Sequence, residues 1–247
     1  MELNIDYVSD LHLTHYISKN ESITKIDKLV QDKISMQVKG DILVVAGDID
    51  EDINRVSELL YSCSKYYKKV IFVLGNHEYY IPVIKYIYTD LMAKEYNYNS
   101  MNKVYRLNEI FKDNKDIIIL DKTNNTKGLY TYNTFLLAGD TLWYKPVTLV
   151  DKLYNYPMQN DWGFILSELS KKDKIQKLHN DSISWYNNLP NNIDLMITHI
   201  PPFRNKNNSR GNNSCYYTEV KEYKSPVWIY GHDHKEEDII INNTRLV

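Results

Sequence analysis

Of the seven histidines in this 247-residue chain, five fall in four short motifs: Asp10-Leu11-His12, Gly75-Asn76-His77-Glu78, Thr198-His199 and Gly231-His232-Asp233-His234. A fifth motif, Gly47-Asp48, lies between the first two. Each follows an apolar run rich in β-branched residues. Histidine, aspartate and asparagine placed just past strand ends can converge on one spot of a folded sheet. Together they carry enough oxygen and nitrogen ligands for two divalent metals.

Taken one at a time, each motif also has an ordinary reading. In an extended segment, residues i and i+2 point the same way, so Asp10 and His12 could share a metal; yet Asp-x-His is common by chance. Gly47 permits a sharp turn and Asp48 is a natural helix cap. Asn76 and His77 directly after a buried strand have no evident packing purpose, although a turn and cap would also use them. His199 before Pro201-Pro202 reads equally as a polar strand end. His232 and His234 beside a glycine turn read as ligands or as a surface turn. The conjunction decides: five strand-end motifs in one order are hard to obtain from five unrelated turns.

The elements that must position these residues are legible as periodicity. Residues 3–8, 41–46 and 70–74 read as short strands; 41–46 is nearly all apolar, of the kind that needs cover on both faces. Ser22 caps a helix running to about Val38, a second helix spans about 53–66, and Pro82 opens a third that ends near Tyr96. The middle reads as β-rich, with strands at 104–107, 117–120, 129–132 and 134–138, the last two forming a hairpin across Tyr132-Asn133. A loop-heavy stretch, 139–163, precedes a helix at about 167–189. Strands at 194–198 and 227–230 lead into His199 and Gly231. A closing hairpin, 239–241 with 244–247, turns over Asn242-Asn243. The repeating β-loop-α order predicts a layered α/β domain with its metal site in strand-end loops. No linker or composition break divides residues 1–247, so one domain is expected.

Composition narrows the function classes. The chain is 43% hydrophobic, enough for a sizeable core, and 30 basic against 32 acidic residues leave a net charge of −2. No global charge recruits nucleic acid, so strong duplex binding is not expected. The absence of an apolar run near 18 residues argues against a membrane span, and the N-terminus lacks signal-peptide character. Cys63 and Cys215 form no CxxC pair and read as reduced thiols of a cytoplasmic protein.

The order D-x-H, GD, GNHE, H, GHxH, spread from Asp10 to His234, resembles the calcineurin-like metallophosphoesterase superfamily. Softer marks, Gly75-Asn76-His77-Glu78-Tyr79-Tyr80, Thr141-Leu142-Trp143 and His179-x-x-Ser182-x-x-Trp185, are similar to a bacterial and phage branch. The resemblance implies a four-layer α-β-β-α sandwich with mixed sheets. It also implies that Asp10, His12 and His234 hold one metal, that Asn76, His199 and His232 hold the other, and that Asp48 bridges them. Nitrogen and oxygen donors suit Mn, Fe, Zn or Ni, with Mn favoured. In such sites a water shared by the metals loses a proton and attacks phosphorus in line with the leaving oxygen. The family pattern keeps His77 off the metals, where it serves as catalytic acid or charge stabiliser. In some relatives an aspartate three residues past the bridging one supports this histidine; here that position holds Glu51. The Asp-Arg-Gly of Ser/Thr phosphoprotein phosphatases is absent, which points away from that activity.

The activity implied is metal-dependent hydrolysis of a small phosphoester, a phosphodiester or nucleotide. A DNA nuclease and a non-catalytic scaffold of the same fold are the alternatives. Arg204 and Arg210, in the long loop after His199, are candidate phosphate contacts, though an Asn-rich loop also solvates arginine. Tyr79, Trp143, Tyr144 and Trp162 suit either stacking on a base or core packing.

Overall fold

A computed structural model describes residues 2–17, 23–37, 39–81, 93–206 and 209–247. Four short apolar runs, Ile5–Val8 (β1), Ile42–Ala46 (β2), Lys69–Val73 (β3) and Ile117–Leu120 (β4), form one sheet. Its strands are all parallel, in the order β1-β2-β3-β4. All five residues of β2 are buried, as a strand covered on both sides requires. Strand alternation divides them. Leu43 and Val45 face a layer containing Val56, Leu59, Val104 and Leu107. Ile42, Val44 and Ala46 face the second sheet. The covering layer is built from helices Ile23–Leu29 (α1), Ile53–Cys63 (α2) and Ser100–Phe111 (α3).

The second sheet contains Leu129–Tyr132 (β5), Phe135–Asp140 (β6), Leu195–Thr198 (β7), Val227–Ile229 (β8), Ile239–Ile241 (β9) and Thr244–Leu246 (β10), ordered β5-β6-β7-β8-β10-β9. β6, β7, β8 and β10 run parallel, and the edge strands β5 and β9 are antiparallel. Leu137, Leu195, Ile197 and Ile229 meet Val44, Ile71 and Val73 between the sheets. Ala138, Met196 and Trp228 face outward onto Tyr186 and Leu189, at the end of helix Lys171–Asn187 (α5); a short helix, Asn160–Phe164 (α4), precedes it. The layers are therefore α-β-β-α, as the resemblance implied; the second sheet is mixed in strand direction, while the first is all parallel. No helix among the described residues is long and apolar enough to cross a membrane.

Several local expectations resolve differently. The strand expected over residues 104–107 is instead part of α3. The β-branched Val104 suggests a strand, but Asn99 caps a helix, its side chain accepting from the Met101 amide. Val104, Leu107 and Phe111 then share one buried helical face. The β5–β6 turn falls at Asn133-Thr134, one residue later than expected, because Tyr132 pairs with Phe135. The closing hairpin turns at Asn242-Asn243 as expected; both residues are left-handed, at φ 49° and 67°, the geometry of a two-residue I′ turn. Ser22, Val38 and the helix begun by Pro82 lie outside the described residues, apart from its expected end, where 93–95 are helical.

The helix at Ser100–Phe111 separates two neighbours that a strand would treat alike. Tyr105 and Leu107 would share a strand face, yet here Tyr105 is 66% exposed and Leu107 is fully buried. Leu107→Ala is expected to cost about 2–5 kcal/mol in urea unfolding, and Tyr105→Ala no more than about 0.5 kcal/mol. Equal losses would contradict the helix.

Candidate metal centre

All five motifs emerge from the carboxyl ends of parallel strands, where open α/β sheets collect ligands. β1 delivers Asp10 and His12, β2 delivers Asp48, and β3 delivers Asn76 and His77. From the second sheet, β7 delivers His199, and β8 delivers His232 and His234. Cross-links at this edge hold the two sheets in register. His199 Nδ1 donates to the carbonyl of Ala46 at 2.8 Å. The amide of His232 donates to both oxygens of Asp10, at 3.1 and 3.0 Å. Within the sheets, Asp10 and His12 amides bond to the Gly47 and Asp48 carbonyls.

The loops turn sharply, and the strain concentrates on the chemistry. Asp10, His12, Asp48, His232 and His234 have φ of 54°, 42°, 57°, 72° and 54°. For side chains with a Cβ this left-handed region costs roughly 1–2 kcal/mol per residue. Two glycines make the close approach possible. A Cβ on Gly75 would lie 2.5 Å from the Asp48 nitrogen, and one on Gly231 would lie 2.6 Å from Asp10 Oδ2.

Two ligand groups result. In the first, His234 Nε2 lies 3.4 Å from Asp10 Oδ1 and 3.2 Å from His12 Nε2. In the second, His199 Nε2 lies 3.3 Å from Asp48 Oδ2, 3.2 Å from His232 Nδ1 and 3.0 Å from Asn76 Oδ1. Asp48 faces both, since its Oδ2 is also 3.8 Å from His12 Nε2. Its other oxygen accepts the His77 amide at 2.9 Å. Backbone carbonyls select the inward nitrogens: Ala46 holds Nδ1 of His199, and Cys215 holds Nε2 of His232, at 3.1 Å. What meets in the centre is therefore a set of nitrogen and oxygen donor atoms that a cation between them satisfies. These two overlapping groups make a binuclear metal-binding site.

Charge follows from this crowding. Burial disfavours the Asp48 carboxylate, but the imidazoles of His199, His77 and His12 outweigh it and hold its carboxyl well below the usual range. Burial lowers His199 too, yet Asp48 overcomes it and pushes this imidazole up to about 10. Burial takes His12 down to about 4. Burial together with His199 does the same to His232. Two histidines thus stand neutral with free lone pairs, while His199 holds the proton that a metal would displace.

His77 lies at the rim of the same cluster. Its Nε2 is 3.8 Å from Asp48 Oδ2, and its Nδ1 is 3.5 Å from Glu51 Oε1. Burial opposes its protonation, but Asp48 and Glu51 raise its pKa. Distance alone would also group it with His12 and Asp48 as a ligand. Arg204 folds back on its own loop, donating to Gly211 O and Asn212 Oδ1. Arg210 donates to the carbonyl of His232 and lies over the Tyr216 ring. Tyr79, Trp143 and Tyr144 are at most 1% exposed; they pack the core and present no face for a base.

Two acids escape the sequence reading. Glu78 is fully buried and accepts from the amides of Asp48, Ile49, Asp50 and Gly75. It ties the Asp48 turn to the Asn76 turn, and its place beside His77 in a GNHE motif is the available signal. Asp161, on α4, takes bonds from Asn76 and Tyr80. Nothing local marks it, because Tyr80 and Asn76 are 81 and 85 residues away in sequence.

The left-handed strain can be isolated at His234, whose side chain is 46% exposed. With chelator present, His234→Gly is expected to exceed His234→Ala in stability by up to about 1 kcal/mol. That figure is the left-handed penalty less the extra entropy glycine loses. Urea midpoints measure it, and an Ala variant more stable than the Gly variant would refute it.

Comparison with known proteins agrees with this geometry. A protein of Acanthamoeba polyphaga mimivirus described as uncharacterized is 26% identical over 272 residues, spanning 96% of this chain and 86% of its own. The crystal structure of a phosphopantetheinyl hydrolase from Mycobacterium tuberculosis superposes with a TM-score of 0.64 at 14% identity, covering 98% of this chain and 87% of that one, a likeness of fold. The family model for calcineurin-like phosphoesterases matches residues 3–236, all five motifs included, and the chain belongs to that family, as a metal-dependent hydrolase.

Proposed function

We propose that this chain hydrolyses a small phosphoester, a phosphodiester or a nucleotide, with two divalent metals, Mn favoured. Asp10, His12 and His234 hold one metal, Asn76, His199 and His232 the other, and Asp48 is shared. The carrying observation is the position of Asp48 Oδ2, which faces both groups while His77 stands beside it. When bound, two such metals acidify a water between them and neutralise the phosphoryl oxygens.

The chain's own residues supply the rest. Asp48 and Glu51 favour the protonated form of His77 against burial, raising its pKa above the usual imidazole value. Its side chain is 21% exposed, so a leaving oxygen can reach it. A departing alkoxide needs that proton; a nitrophenolate does not. Arg210 is the arginine proposed to contact substrate phosphate; its bond to the His232 carbonyl supports that reading.

Local charge supports a small ester over duplex DNA. Beside Asp10 and His234 lies a cavity of about 840 Å³ whose wall carries Asp233, Glu236, Glu237 and Asp238 against Lys235. Such a wall repels a polyanion and offers little to a phosphate backbone.

Bis(p-nitrophenyl) phosphate with Mn²⁺ is the direct assay. The wild type is expected to turn over and Asp48→Asn to lose activity at least 100-fold, on the order of the loss of a general acid–base group or more. An inactive wild type across a phosphoester panel would overturn the proposal. His77→Ala should cost roughly 10²–10⁴ on an alkyl phosphodiester and far less on the nitrophenyl ester; equal losses would remove His77 as the acid. The acid form is lost as pH rises through the pKa of His77. Glu51→Gln lowers that pKa, so the alkaline limb of kcat/KM should move to lower pH.

A further inference from the structure

Among the proposed ligands, Asn76 is the side chain that can present the wrong atom. A carboxamide ends in an acceptor oxygen and an NH₂ donor of nearly equal size. Only the oxygen has a lone pair for a cation. Unlike His199, whose inward nitrogen is chosen by a backbone carbonyl, Asn76 is oriented by side chains alone.

Those side chains come from three separate elements. Asn76 Nδ2 donates to Asp161 Oδ1 at 3.0 Å and to the Tyr80 hydroxyl oxygen at 2.7 Å. Tyr80 donates its own proton to Asp161 Oδ1 at 2.5 Å. The Tyr144 hydroxyl donates to Asp161 Oδ2. Asp161 is 2% exposed, so these protein donors are its solvation. With the Tyr80 proton committed to Asp161, both atoms facing the outer edge of Asn76 are acceptors. An NH₂ fits there, and an oxygen would meet two oxygens at hydrogen-bond distance without a proton between them, an unfavourable contact in a buried site. The same orientation leaves Oδ1 pointing inward, 3.0 Å from His199 Nε2.

The short helix α4 that carries Asp161 is itself anchored. Lys174 Nζ donates to the carbonyls of Trp162 and Ile165. The Ile81 amide donates to Phe164 O at 2.8 Å, tying α4 to the segment after Tyr80.

We infer that Asp161 is a positioning residue for the second metal: its acceptor-only carboxylate, with Tyr80, locks the Asn76 carboxamide with Oδ1 turned inward as a ligand. This rests on the two-metal reading above, and the experiment separates the two. Mn²⁺ per chain is measured by elemental analysis and calorimetry on wild type, Asp161→Asn and the exchange Asn76→Asp with Asp161→Asn. Wild type is expected to bind two Mn²⁺. In Asp161→Asn the new NH₂ lets Asn76 sit either way, so the second Mn²⁺ should weaken by roughly 10–100-fold, the usual cost of losing an orienting partner. In the exchanged pair, the carboxylate now at position 76 shows an oxygen on both edges, and the carboxamide now at position 161 donates to it, so the second Mn²⁺ should return. Melting temperatures in chelator report folding independently of metal. Asp161→Asn binding both Mn²⁺ as tightly as wild type overturns the role of Asp161 alone. A folded exchange pair that fails to regain the second Mn²⁺ overturns it too. Wild type binding fewer than two overturns the two-metal reading and this inference with it.

Discussion

The structure is organised around one crowded cluster of donor atoms. Nitrogens and oxygens of His12, His199, His232 and His234, of Asp10 and Asp48, and of Asn76 converge across a gap between two sheets at 3.0–4.0 Å. The proton that Asp48 holds on His199 offsets part of the charge gathered there. Five of these residues also sit at positive φ, each at a cost of roughly 1–3 kcal/mol. Summed, that strain is comparable with the whole net stability of a typical domain, about 5–15 kcal/mol. A ligand that binds only the assembled cluster returns part of that energy by mass action.

The sandwich offsets this cost through its core. Two of the strands that deliver these residues, β2 and β7, have every residue buried, while β1, at the sheet edge, is only partly buried. Two sheets closed on a shared apolar layer leave their carboxyl edges facing each other. The His199–Ala46 and His232–Asp10 bonds then cross between the sheets at that edge. Glu78 performs the same service within one sheet, collecting four amides that the tight Asp48 and Gly75 turns leave without strand partners.

Much of this is legible in the chain alone. The strands bearing these residues are mostly apolar, and β2, β3 and β8 run into turns at Gly47, Gly75 and Gly231, so β1, β2, β3, β7 and β8 fall close to where periodicity places them. Residues 104–107 defeat the same rule, because four residues of mixed polarity carry too little periodicity to separate a strand from one helical turn. The aromatics are ambiguous for a related reason: Trp143 and Tyr144 follow a strand and precede a loop, and only packing determines whether they face the core or the rim.

The chain by itself determined which histidines, carboxylates and amide the strands deliver and in what order, since residue type, spacing and burial pattern are local properties. Only the tertiary structure decided how those residues act on one another. That the Asp48 carboxylate faces both groups, that Glu51 reaches His77, and that Asp161 reaches Asn76 across 85 positions are relations between distant segments. Folding sets them because the energy of each depends on a distance and a dielectric that exist only once the two sheets have closed.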